Sequence, residues 1–168
     1  LSDLVISAAG FCDPFLRDTV RVWRAAGILP VWSVGDDPNG VPVGAVPSPA
    51  SDPAVFSVGA ADQNDAILST VYRGVTFCPG PQGTAPRLVA PGVDVAAALA
   101  GGNHTDHAKR SGSDVAAAHV AGAVALIRGA RPDTRKVSVD LLDEALTRTG
   151  VSVANGQKRL DVEAAVNL

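Results

Sequence analysis

Three short runs, ILPVWSVG (28–35), VFSVGAAD (55–62) and RLVAPGVDV (87–95), are apolar at successive positions rather than alternate ones. A strand of that kind must be covered on both faces, and a sheet meets the demand when the connections between its strands are helices. The run DLVISAAG (3–10) has the same character. Between it and the next strand, Asp13 as N-cap and Pro14 at the first helical position predict a helix. Phe15, Leu16, Thr19, Val22, Trp23 and Ala26 follow at helical spacing, and Gly27 closes the pattern as a C′ glycine. A longer helix is predicted over DVAAAHVAGAVALIRGA (114–130), and two more over SVDLLDEALTRTG (138–150) and LDVEAAVNL (160–168). Ser138 caps the first of these two and Gly150 stops it. Strands alternating with helices predict an α/β, three-layer fold with a mainly parallel sheet flanked by helices.

The 168 residues suit one domain, and with 46% hydrophobic but only 4% aromatic residues its core must be aliphatic. A net charge of -3 provides no electrostatic footprint for nucleic acid or an anionic membrane, so neither is expected as a partner. No apolar run approaches the roughly 18 to 20 residues of a membrane span, and the N-terminal residues lack the pattern of a signal peptide. Cys12 and Cys78 allow one internal pairing; two free thiols or one incidental bridge both stay open, and no chemistry is assigned to them. No cofactor is called for. The stretch DDPNGVPVGAVPSPASDP (36–53) is dense enough in proline and glycine to predict a long surface loop suited to binding.

In order along the chain, DLVISAAG, VWRAAGILPVWSVGD, PSPASDPAVFSVGAADQNDAILSTVYRG, LVAPGVDV, SGSDVAAAHVAGAVALI and RLDVEAAV resemble motifs of the subtilisin-like serine peptidases, of the bacillopeptidase F type. The resemblance runs from about Asp3 to Asn167. It implies the C-terminal half of the subtilisin fold, residues 1–168 forming one partial domain. The aspartate and histidine of the catalytic triad lie, in that family, upstream of the matched segment. The same resemblance implies that neighbouring strands are missing, which would leave an apolar sheet edge unpaired. A companion is therefore expected: an N-terminal subtilase-like half or another protein chain. The family is largely secreted, which is the only pointer to a compartment.

By the same resemblance, Asp114 stands at the position of the nucleophilic serine and Asp36 at that of the asparagine whose amide donates to the oxyanion. A carboxylate attacks amides poorly, and its acyl product would be an anhydride. An ionised acceptor at the oxyanion position replaces stabilisation with repulsion. Ser113 and Ser111 cannot readily substitute, because neighbouring residues point elsewhere from a helix start. Aspartate is also a good N-cap, so Asp114 can be read as a cap that has replaced a nucleophile. The competing reading is that Asp36 and Asp114, converging on one pocket, do acid/base work of another kind; a third is a subunit of a split serine endopeptidase.

The resemblance further implies that Ala8, Ala9, Gly10, Ser33, Val34, Gly35 and Ser113 line the substrate side, where a peptide is the candidate ligand and backbone hydrogen bonds bind it. It also places a cis peptide at Asp52-Pro53. His119 is expected to be structural, packed on the apolar face of its helix between Val115 and Ala123. His104, Asp106 and His107 are ligand types for a divalent metal, but in a Gly-rich stretch they are expected to form a solvated loop. The sequence thus favours an inactive peptidase homologue acting as a binding or accessory subunit.

Overall fold

The computed structural model describes residues 12–37, 39, 44–76, 78–80, 83–101, 105–130 and 138–168. The expected strand at 3–10 lies outside them. Helix α1 (Pro14–Ala25) begins as its sequence dictates: the Asp13 carboxylate accepts from the N–H groups of Phe15 at 2.9 Å and Leu16 at 3.4 Å. Gly27, at φ 79°, turns the chain back through the left-handed region, which costs glycine nothing.

Five strands form the main sheet in the order β1 (Val31–Ser33), β3 (Phe56–Ala61), β6 (Leu88–Pro91), β10 (Lys158–Arg159), β9 (Val151–Ser152). The first four run parallel and β9 is antiparallel to β10. A smaller sheet joins β2 (Gly44–Ala45), β4 (Gly74–Val75) and β5 (Thr84–Ala85), while β7 (Val95–Ala98) and β8 (His107–Arg110) make a hairpin. All six residues of β3 are buried, as an apolar run covered on both faces should be. Helix α2 (Ser113–Ala130) lies across β1, β3 and β6 and buries Ala116, Val120, Ala123 and Ile127. Helices α3 (Val139–Thr149), capped by Ser138 at 3.2 Å, and α4 (Val162–Asn167), capped by Asp161 at 2.9 Å, complete the α/β arrangement of helices flanking a mainly parallel sheet.

The structure departs from expectation at four places. RLVAPGVDV is not one strand: the chain leaves the sheet at Gly92, where a Cβ would lie 2.6 Å from the Ala60 Cβ and 2.8 Å from the Gly112 carbonyl oxygen. β1 is only half-buried. The 36–53 stretch is no surface loop throughout, since Val46, Ser48, Ala50, Ser51 and Asp52 are buried. Among the described residues the cis peptides are Ser48-Pro49 and Ala85-Pro86, not Asp52-Pro53.

Cys12 and Cys78 form a disulfide that ties the start of α1 to a segment 66 residues away. Val20 is the one fully buried side chain of α1, so covalent tethering matters more here than at a well-packed helix. Opening the bond by Cys78→Ser, or by reduction, should cost about 2–5 kcal/mol of stability. Urea unfolding with and without reductant measures it.

Candidate functional site

The carboxyl end of β1 and the N-terminus of α2 meet at one carboxylate. Asp36 Oδ2 accepts from the Ser113 N–H at 2.8 Å and from the Ser113 hydroxyl at 2.6 Å, while the Thr70 hydroxyl donates to Oδ1 at 3.3 Å. Ser113 Oγ in turn accepts the Gly35 N–H at 3.1 Å. A helix start leaves its first N–H groups without intrahelical acceptors and carries partial positive charge. Asp36 supplies both the acceptor and the negative charge.

The cap function expected of Asp114 therefore belongs to Asp36, reaching in from another element. Asp114 sits one residue inside α2, exposed in its first turn. The two carboxylates do approach the same point: a Cβ on Gly112 would be 2.4 Å from Asp114 Oδ1 and 3.5 Å from Asp36 Oδ2. Gly112, at φ 155°, is the residue that fits this crowded turn.

Ser113 is fully buried, with its hydroxyl turned inward to Asp36. Among the described residues no histidine hydrogen-bonds to it. Expected to help line the substrate side, Ser113 instead ties β1 to α2. Val34 is also fully buried, and its N–H donates to the Val58 carbonyl, so its side chain belongs to the core. Ser33 and Gly35 are both half-buried beside the same strand end, Gly35 in the left-handed region at φ 88° with the Tyr72 ring 3.3 Å from where a Cβ would stand. Ala8, Ala9 and Gly10 lie outside the described residues, as does His104. Asp106 and His107 fall at the β7–β8 hairpin, where the His107 ring meets the Thr105 carbonyl at 2.8 Å. Among the described residues no three potential metal ligands come together. His119 is exposed rather than packed in the core; its Nδ1 lies 3.1 Å from the Val115 carbonyl oxygen of its own helix. The apolar face of α2 that the sheet covers runs through Ala116, Val120 and Ala123, one residue round from it.

Three groups that the sequence did not single out complete the site. Thr70 holds Asp36, its neighbour Val71 bridges to Asp36, and the Tyr72 hydroxyl donates to Asp37 at 3.5 Å. They lie more than 30 residues from Asp36 in a loop with no local signal of the pairing. Burial, reinforced by the nearby Asp37 carboxylate and its hydrogen bond, raises the Tyr72 phenol above its ordinary value of 10.0.

A family model described as the subtilase family matches residues 7–163. The chain belongs to the subtilase family. It is 32% identical to bacillopeptidase F of Bacillus subtilis (strain 168) over 140 residues, which is 82% of this chain and 9% of that protein. Subtilisin E of the same strain is 28% identical over 151 residues, covering 89% of this chain and 36% of its own length. Among solved structures, the protease domain of a PatA variant superposes with a TM-score of 0.75 at 26% identity, over 96% of this chain and 55% of that one. The prenylagaramide maturation protease PagA shares the fold at a TM-score of 0.75 and 20% identity, over 96% of this chain and 57% of that one. This subtilase chain thus spans well under two thirds of each of these relatives.

Two measurements test the site. Asp36→Ala leaves the buried Ser113 N–H and hydroxyl without their acceptor and should cost about 1–3 kcal/mol in chemical denaturation, whereas Asp114→Ala should stay within the range of ordinary surface substitutions. Tyr72 is the chain's single tyrosine, so phenolate absorbance reports it alone. Because folding favours its protonated form, the stability it contributes is intact below pH 10 and falls as pH rises beyond; Tyr72→Phe should remove that alkaline component.

Proposed function

We propose that this subtilase chain binds peptide or protein without cleaving it by the serine mechanism, forming half of a domain that a companion chain completes. The observation that carries the proposal is the Asp36–Ser113 pair. With a carboxylate holding the α2 N-terminus, an oxyanion arriving there would compete for the same donors and be repelled. By its motif resemblance Asp114 is read as standing at the nucleophile position, and the adjacent Ser113 hydroxyl is buried and engaged. An acid/base role for the Asp36/Asp114 pair finds less support, since Asp36 Oδ2 already serves two donors.

Support for a companion comes from surfaces that a finished domain would cover. Phe15 and Val22 on one face of α1 are 77% and 66% exposed, and Leu126 on α2 is 60% exposed. Such faces are costly to leave in water and favour association. The disulfide fits an oxidising compartment. Both PatA and PagA are maturation proteases by name, and peptide recognition is the capacity a chain of this kind can retain without a nucleophile.

Native mass spectrometry of the purified protein should find a second chain in stoichiometric amount. The same preparation should leave a generic fluorogenic peptide uncleaved and should not react with a serine-directed fluorophosphonate. Introducing Asp114→Ser with Asp36→Asn should bring hydrolysis back. Hydrolysis and serine labelling by the unaltered protein would overturn the non-hydrolytic reading, and a lone monomer would overturn the companion-chain reading.

A further inference from the structure

The β7–β8 hairpin stands apart from the main sheet and from the β2–β4–β5 sheet, and its second strand ends in two adjacent cations, Lys109 and Arg110, followed by Ser111. The chain holds two other such pairs. Lys158 and Arg159 form β10, which is hydrogen-bonded to β6 on one side and to β9 on the other. Both are half-buried; Lys158 Nζ donates to the Thr147 carbonyl at 2.7 Å, and Arg159 meets Asp65 at 2.7 Å. Arg135 and Lys136 lie outside the described residues.

Lys109, Arg110 and Ser111 are all exposed. Lys109 stands opposite Ala96 and Arg110 opposite Val95, so the two side chains leave opposite faces of the strand. Among the described residues β8 pairs with β7 alone, which leaves its outer edge open. Extended peptides are bound by main-chain hydrogen bonds along such an edge, with pockets reading successive side chains on alternate sides. β8 already has that conformation and offers a cation on each side. Little holds it in place. A two-stranded hairpin is marginally stable on its own, and the Lys109–Asp94 pair at 3.6 Å, with side chains 72% and 68% exposed, contributes little. Ser111 Oγ accepts the Asp94 N–H at 2.9 Å. Firmer anchoring starts one residue later, where the Gly112 N–H donates to the Gly92 carbonyl at 2.8 Å and Ser113 to Asp36.

We propose that the Arg110–Ser111 bond is a processing site, hydrolysed in the folded protein by an endopeptidase specific for paired basic residues. One water is consumed: its oxygen bonds to the Arg110 carbonyl carbon, the C–N bond breaks, and the ends separate as a carboxylate and the α-ammonium of Ser111. Fragments 1–110 and 111–168 stay assembled, because β10 of the second is bonded to β6 of the first and α2 keeps its buried face on β3 and β6. The new ammonium precedes Gly112, the point that Asp36 and Asp114 both approach, so the cut also adds a positive charge near those carboxylates.

Brief digestion of the folded protein with trypsin and, separately, with a paired-basic-specific endopeptidase, followed in time by denaturing mass spectrometry, tests the assignment. Both enzymes should cut Arg110–Ser111 at least about a hundredfold faster than the Lys158–Arg159 pair, whose cleavage awaits opening of the main sheet. Native mass spectrometry should find 1–110 and 111–168 still together. Lys109→Gln should slow the paired-basic enzyme at this bond about tenfold or more while leaving trypsin unchanged, and Arg110→Gln should stop cleavage of the bond by both. Both residues are exposed, so neither substitution disturbs the core. A bond cut no faster than the Lys158–Arg159 pair, cleavage by trypsin but not by the paired-basic enzyme, or fragments that separate once cut would overturn the proposal.

Discussion

A helix that ends against a parallel sheet has to find acceptors for the N–H groups of its first turn, and in this chain one carboxylate does so for α2. Asp36 reaches the Ser113 N–H and hydroxyl together, and Ser113 passes the connection on to the Gly35 N–H. The end of β1, the start of α2 and the loop carrying Thr70 are thereby fixed to one another through atoms within about hydrogen-bond reach. The tight approach of Gly92 to Ala60 and Gly112 belongs to the same arrangement, because α2 can come this close to β3 and β6 only where side chains are absent or small.

The two flanks of the structure are held by different forces. α2 is seated by aliphatic burial along Ala116, Val120, Ala123 and Ile127, the contribution that dominates folding near room temperature. α1 buries one side chain fully and is otherwise held by arginines bonded to Ala54, Pro79 and the carboxylates of α3, together with the disulfide. Phe15 and Val22 turn away from that junction into solvent, while Val20, with Leu16 and Trp23 half-buried beside it in sequence spacing, is the apolar part of α1 turned toward its own chain.

Local signals in the sequence carried the helices. Asp13 and Ser138 cap the helices they were expected to cap, and Gly27 takes the left-handed turn, because capping is decided within four residues. β3 was legible for a different reason: a run apolar on both sides has few places to go. RLVAPGVDV misled because its apolar character continues through Gly92, whereas the break depends on how close α2 comes, a distance no neighbouring residue records. The cysteines were undecidable from spacing, since pairing across 66 residues depends on where α1 is laid down.

The site shows the same limit more sharply. Family motifs brought Asp36 and Asp114 to notice as replacements, and both do face Gly112. Which of them caps α2 depended on geometry across 77 residues, and the answer reversed the expectation: the residue best placed by sequence for a cap lies one step inside the helix, and the cap comes from the end of a strand. His119 failed as a core residue through a related assumption, that an apolar helix is covered all round; the sheet covers one side of α2, and His119 stands on the other. Periodicity identifies which residues share a face, but only the surrounding layers determine whether that face meets protein or water.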